Sequence, residues 1–235
     1  MRHLRVFIGY DAAEPEAVRV AAKSLNEVTN GELEAEFLDS EKLVSQGLLY
    51  RPLDHRGQAY DIISGSPVST DFANSRFLTP ILCQEGFALF TDCDVVFQED
   101  PRNMLDDTGA QEHAVYVVKH RHKPVENRKM GGQIQTTYYR KNWSSVMLFD
   151  CDMLANHRLS LRDVNERPGR DLHRFYWLND AEIGELHPRW NWLVNVQPPS
   201  VEHSGRGIAH FTLGGPFIAG WKGAPHDDLW WRAAG

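Results

Sequence analysis

Hydrophobic and polar positions along the chain alternate between strand-like and helix-like segments. Leu4-Arg-Val-Phe-Ile-Gly9 is a short apolar run that predicts a first buried strand. From Ala12 to Glu27, apolar and small residues recur at helical spacing through Ala17, Val20, Ala21 and Leu25, so a helix is expected there. Leu33-Glu-Ala-Glu-Phe-Leu38 alternates like a half-buried strand. The opening unit is therefore strand, helix, strand, as in a nucleotide-binding α/β half.

A polar, turn-rich stretch runs from Gln46 to Pro67. Ser69 to Leu82 then predicts a helix with a Ser or Thr cap and an apolar stripe of Ala73, Phe77, Leu78 and Ile81, with Arg76 on its flank. Pro80 is out of place in a helix interior, so the helix either kinks there or has another boundary. Phe87-Ala-Leu-Phe-Thr-Asp-Cys-Asp-Val-Val-Phe97 reads as a short buried strand that runs out at Asp92, bracketed by Gly86 and by Glu99-Asp-Pro101. Further strands are expected at Ala114 to Val118, Ser145 to Phe149 and Ile208 to Thr212, and a helix from Asp171 to Leu178. Trp190-Asn-Trp192 forms an aromatic knot. Residues 121–136, with Gly131-Gly132, form a loop of the length used for lids and binding loops, and we expect a lid there. With no internal repeat, the pattern predicts a single α/β domain over residues 1–235.

At 235 residues and 42% hydrophobic content the chain has enough apolar material for a substantial core. A net charge of -7 argues against nucleic acid as a partner, because phosphate backbones demand clustered Lys and Arg. The basic cluster Lys119-His-Arg-His-Lys123, followed by Arg128 and Lys129, is local; it suits a solvated loop face or a loop that meets an anionic small molecule. Three cysteines, Cys83, Cys93 and Cys151, are too few and too irregularly spaced for a disulfide framework or a zinc site. The N-terminus lacks a signal-peptide pattern, and no segment approaches the roughly 18 consecutive apolar residues of a membrane span. A soluble cytoplasmic protein is expected.

The chemistry concentrates at Asp92 and Asp94. Strand alternation sends both carboxylates to one side, at the strand end where open α/β sheets bind ligands. Hard oxygen ligands at this density suit Mg²⁺ or Mn²⁺, which would carry a substrate diphosphate. The plain alternative is a pair of Asp residues capping a strand in a solvated turn.

The order Val6-Phe-Ile-Gly-Tyr-Asp11, Ala21-Ala-Lys-Ser-Leu25, Arg76, Thr91-Asp-Cys-Asp94, Ser144-Ser145, Asp180 and His210-Phe-Thr-Leu-Gly-Gly-Pro216 resembles glycosyltransferase family 8, the glycogenin and lipopolysaccharide galactosyltransferase group. The similarity runs from about residue 4 to residue 216 and rests on these features occurring in order rather than on any one of them. The resemblance implies a GT-A fold, a mixed, mostly parallel sheet with helices on both faces, holding a sugar nucleotide at its carboxyl edge. It also implies transfer of a hexose from a nucleoside-diphosphate sugar, UDP-linked, to a hydroxyl acceptor with retention of anomeric configuration. Carried across, Asp92, Asp94 and His210 would bind the metal, with His210 favouring Mn²⁺ over Mg²⁺. Gly9, Tyr10 and Asp11 would form the base-binding turn. Arg76 would face the diphosphate and sugar, and Cys93, Gly214 and Gly215 would lie along the nucleotide. Asp180 would contact the sugar, with Glu182 as the competing choice.

Departures from the family pattern accompany the match. Asn142-Trp-Ser-Ser-Val146 replaces an Asn-Ala-Gly-like turn, and Phe217 and Ile218 stand where the family supplies a late lysine, so Lys222 or the basic loop would have to provide that charge. Tyr138, Tyr139, Trp143, Trp190 and Trp192 are candidates to stack on an acceptor sugar, though aromatic clusters also build cores. The sequence ends soon after Trp230-Trp231, without the basic tail some relatives use at membranes, so no membrane partner is expected. Three other readings stay open. A haloacid-dehalogenase-type phosphatase also places Asp-x-Asp after an apolar strand, its first Asp being the nucleophile. A sugar-nucleotide pyrophosphorylase would need a Gly-rich basic loop that Gly9-Tyr-Asp-Ala-Ala-Glu14 does not provide. A non-catalytic GT-A module would bind nucleotide without turnover.

Overall fold

The computed structural model describes residues 3–54, 59–109, 112–120, 140, 142–197 and 206–235. The lid expected over 121–136, with Tyr138 and Tyr139, lies outside these residues. The chain opens with β1 (Leu4–Gly9), α1 (Pro15–Val28) and β2 (Ala35–Leu38), the two strands pairing in parallel with Val6 opposite Ala35. The helix starts later than the hydrophobic spacing predicts. Asp11 accepts the Ala13 amide and holds a turn ahead of it, and Pro15 then supplies a φ already suited to a helix start. Ala17, Val20, Ala21 and Leu25 form its buried stripe, as expected.

Asp39 caps α2 (Ser40–Ser45) through the Glu41 and Lys42 amides. The polar stretch that follows hides three two-residue strands, β3 (Leu53–Asp54), β4 (Tyr60–Asp61) and β5 (Ser66–Pro67), in a small antiparallel sheet. The single helix expected over Ser69 to Leu82 is instead a 3-10 turn, Ser75–Leu78, running into α3 (Thr79–Cys83). Pro80 decides this, because a proline without an N–H fits the first turn of a new helix and not the interior of a long one.

The expected Phe87 to Phe97 strand is two strands, β6 (Phe87–Thr91) and β7 (Val95–Phe97), separated at the Asp92-Cys-Asp94 turn. After α4 (Met104–Asp107) come β8 (Val115–Val117) and β9 (Val146–Asp150), then α5 (Leu161–Glu166) and α6 (Gly169–His173). The helix expected to reach Leu178 ends early, where Phe175 takes φ 55, outside the helical region. The remaining elements are β10 (Ile183–Glu185), β11 (Trp192–Leu193), β12 (Ile208–His210) and an unanticipated C-terminal α7 (Asp227–Ala234). The last helix docks on α1, with Lys23 and Arg19 donating to the Ala233 and Ala234 carbonyls.

The main sheet has the order β10-β8-β9-β6-β1-β2 and is mixed; its antiparallel pairings all involve β9. Its central strands are buried along their whole length, as a sheet covered on both faces requires. A second sheet, β11-β12-β7, takes over where β6 ends. The aromatic knot belongs to the core: Trp190 is fully buried and Trp192 nearly so. Among the described residues no helix is long and apolar enough to cross a membrane.

Candidate functional site

Two strand ladders bring the site together. In the main sheet Ile8 lies opposite Thr91 in parallel, so β1 and β6 end side by side and Gly9 and Asp92 emerge at the same edge. The chain then leaves that sheet. Asp92 still donates its amide to the Ser145 carbonyl at 2.9 Å, whereas Val95 already pairs with His210 on β12 and the Phe211 amide donates to the Asp94 carbonyl at 2.8 Å. The change of sheet within three residues makes Asp92, Asp94 and His210 neighbours, although the last is far away in sequence.

One ligand atom from each of these three residues lies within 4.8 Å of the others. His210 Nε2 is 3.2 Å from Asp94 Oδ1 and 3.9 Å from Asp92 Oδ2. The imidazole is 1% exposed, and its Nε2 is buried without a hydrogen bond of acceptable geometry. Its other nitrogen, Nδ1, lies 2.9 Å from Asn191 Oδ1. A buried imidazole nitrogen and carboxylate oxygens facing one another without a bond between them is an unfavourable arrangement for the protein alone. Two carboxylates and one imidazole are also a fitting donor set for Mn²⁺ or Mg²⁺, so the residues present match a divalent cation.

Arg76 joins the cluster through its contacts with the protein. Its Nη1 donates to Asp92 Oδ1 at 2.7 Å and to the Ser144 carbonyl at 2.8 Å, and its Nε donates to the Ala73 carbonyl at 3.2 Å. The guanidinium lies over the Phe72 and Phe90 rings, 5.2 and 5.1 Å from their centroids. These bonds make Arg76 a buried brace for Asp92.

The turn after β1 is also tied into the fold. Asp11 is buried, and its two carboxylate oxygens accept the Ala13 amide at 2.9 Å and the Asp71 amide at 3.2 Å. It ties β1 to the segment before Arg76. Tyr10 is half-buried, edge-on to Phe37 at 6.5 Å. Gly9 is required by packing, since a Cβ there would collide with the Phe72 ring.

A cleft adjoins the cluster, walled by Glu14, by Ser69, Thr70 and Phe72, by Asp92, Cys93 and Asp94, and by Thr212, Leu213, Gly214, Phe217 and Ile218. Cys93 is a buried wall residue whose Sγ lies 3.7 Å from Glu14 Oε2. Burial, followed by the Asp94, Glu14 and Asp92 charges, pushes its thiol well up, so it stays protonated. Gly214 adopts φ 126 and donates its amide to the Phe211 carbonyl, so that N–H closes a turn and is not presented to a phosphate. A Cβ on Gly215 would strike the Phe217 ring.

The structure does not bring Asp180 to this cleft. Strand β10 runs in the same direction as β6, and Asp180 precedes its first residue, toward the sheet edge opposite Asp92. Its side chain is 86% exposed and ion-paired with Arg140, and Glu182 pairs with Arg158. Lys119 donates to the Ile183 carbonyl at 2.8 Å, and Lys222 is exposed outside the cleft lining. The sequence reading missed Asn191, Glu14 and Phe72. An Asn between two Trp residues carries no chemical signature of its own, and only the β11–β12 pairing places it against His210.

No protein-family model matches the sequence. Among solved structures the chain is similar to the galactosyltransferase LgtC, crystallised with donor and acceptor sugar analogues, at a TM-score of 0.57 and 14% identity over 98% of this chain and 95% of that one. It is also similar to the bifunctional glycosyltransferase WbbM (TM-score 0.56, 12% identity, 99% of this chain) and to the glycosyltransferase GlyE of Streptococcus pneumoniae TIGR4 (0.56, 15%, 100%). It spans 52% of the WbbM chain and 60% of the GlyE chain. These likenesses show the GT-A fold. Protein CDI of Arabidopsis thaliana is 37% identical over 232 residues, 96% of this chain and 84% of that protein. Over that span and at that identity, the chain belongs to the family of Protein CDI, built on a GT-A fold.

Proposed function

We propose that the chain is a metal-dependent glycosyltransferase of the family 8 type, moving a hexose from a UDP-linked sugar to a hydroxyl acceptor with retention of configuration. The observation that carries this reading is the convergence of Asp92, Asp94 and His210, with an unbonded buried Nε2, at the mouth of a cleft on the carboxyl edge of a GT-A sheet. Those three residues would hold Mn²⁺, or Mg²⁺ in its place. Such an ion, when bound, supplies Lewis-acid stabilisation of the departing nucleoside diphosphate.

The protein's own part is positioning. Arg76 fixes the Asp92 carboxylate, the Leu213 to Ile218 turn and Phe72 would wall the nucleotide from water, and Glu14 adds a carboxylate to the cleft wall. Asp180 has no place in this reading. The donor and acceptor analogues bound by LgtC support a sugar-nucleotide donor and a hydroxyl acceptor. Three unpaired cysteines support a reducing, cytoplasmic setting.

Calorimetric titration of UDP, with and without Mn²⁺, on the wild type and on Asp94→Asn tests the reading. Metal-dependent binding lost in the variant is expected, and sugar transfer from screened UDP-sugars should follow. Absence of UDP binding under every condition overturns the donor. Hydrolysis of a generic aryl phosphate would point to the phosphatase, and tight UDP binding without transfer or hydrolysis to a non-catalytic module.

A further inference from the structure

Asn191 sits at the end of the Pro188–Asn191 turn and is wholly buried behind His210. Its amide donates from Nδ2 to Ser145 Oγ at 3.0 Å and to the Asn142 carbonyl at 3.3 Å. These two partners fix which way the amide points. Turning it over would set Oδ1 against the Asn142 carbonyl, two acceptors face to face, so Oδ1 must be the atom 2.9 Å from His210 Nδ1. An oxygen that only accepts requires Nδ1 to carry the imidazole proton. In the neutral ring this leaves Nε2 as the lone pair, directed at Asp94 and Asp92.

The same amide also reaches the other ligand. Ser145, which takes its Nδ2 hydrogen bond, accepts the Asp92 amide on its carbonyl at 2.9 Å. One buried side chain thus ties the turn that bears Asp92 to the ring of His210. From these contacts we infer that Asn191 is a positioning residue, which locks His210 in the Nδ1–H tautomer with Nε2 presented as a ligand and holds it in register with Asp92. The inference rests on the reading of Asp92, Asp94 and His210 as a cation site. Hydrogen bonding of the non-ligating nitrogen orients metal-binding histidines generally, and its loss typically weakens metal affinity by about 10- to 100-fold.

Two measurements on the full chain test it. Long-range ¹H–¹⁵N spectra of the metal-free protein, with the His210 signals assigned by their disappearance in His210→Gln, should show the Nδ1–H tautomer in the wild type. They should show its replacement by an Nε2–H or mixed form in Asn191→Leu. Calorimetric titration with Mn²⁺ alone should give about 10- to 100-fold weaker binding in Asn191→Leu. Asn191→Asp, which keeps an acceptor for Nδ1–H, should recover most of that loss, a rescue that a merely space-filling role does not predict. An Nε2–H tautomer in the wild type overturns the inference whatever the variants do. Equal Mn²⁺ affinity in the wild type and Asn191→Leu overturns it while leaving the cation site standing, and no Mn²⁺ binding by the wild type overturns both.

Discussion

Arg76 and Asp92 form a buried ion pair, Nη1 to Oδ1 at 2.7 Å, with side chains 7% and 9% exposed. One oxygen of Asp92 is thereby given to the protein and the other turns toward His210. Removing one partner of a buried pair strands the other charge, which costs more than the pair is worth against an apolar replacement. Arg76→Met should therefore lose about 3–5 kcal/mol of stability in urea unfolding. Arg76→Lys keeps the charge but not the fork that also reaches the Ser144 carbonyl, so an intermediate loss is expected. Near-wild-type stability in Arg76→Met would rule out the bracing role.

Asp94 is less enclosed than Asp92, and its carboxylate faces an unbonded imidazole nitrogen at 3.2 Å. Asp94→Asn removes one of two carboxylate charges whose oxygens lie within 4.8 Å of each other. Without metal, the variant should be as stable as the wild type or more so. With Mn²⁺ at about 100 times its Kd, the wild type should gain about 2.7 kcal/mol and the variant nothing, and EDTA should reverse the gain. Paired unfolding curves with Mn²⁺ and with EDTA measure both arms; an equal gain in the variant excludes Asp94 as a ligand.

A pH effect is expected far from the cleft, at the start of α5. Burial pushes the Asp163 carboxyl up, but hydrogen bonds from the Ser160 hydroxyl and Arg167 outweigh it and hold the group at about 2. A carboxyl lowered in the folded state stabilises it fully above its unfolded value, about 3.9, and loses that contribution as pH falls through the folded value. Wild-type stability should therefore drop between about pH 4 and pH 2 by roughly 1 kcal/mol more than that of Asp163→Asn, allowing for solvent screening of a surface cap. Parallel slopes for the two proteins across that window would remove Asp163 from the acid transition.

Much of this organisation is legible in the sequence because it follows from local rules. The strand end at Asp92 shows as an apolar run meeting two carboxylates, and the buried stripe of α1 shows as helical spacing. What stays hidden depends on long-range pairing. The register of β10 on β8 sets Asp180 toward the sheet edge away from Asp92, and the Arg76–Asp92 ion pair joins two elements; neither placement has a local signal. The strands β3 to β5 are two residues each, too short for any period to register. Asn191 gains its meaning only from its contacts with His210 and Ser145.

Gly9 offers a test that joins the fold to the cleft. A Cβ at this position would overlap the Phe72 ring, which walls the cleft on one side and lies against the Arg76 guanidinium at 5.2 Å. Neither neighbour gives way easily: Phe72 is 1% exposed and Arg76 is held by its bonds to Asp92 and Ser144. Gly9→Ala should therefore cost about 1–3 kcal/mol through overpacking and should weaken UDP binding by displacing Phe72 into the cleft. Phe72→Leu removes ring atoms at the point of collision, so the double variant Gly9→Ala/Phe72→Leu should be more stable than the sum of the single changes predicts. Urea unfolding of the four proteins gives that coupling, expected between about 0.5 and 3 kcal/mol for residues in contact. Strict additivity, with unchanged UDP affinity in Gly9→Ala, would show that the glycine is not needed for Phe72 and return it to the role of a simple strand end.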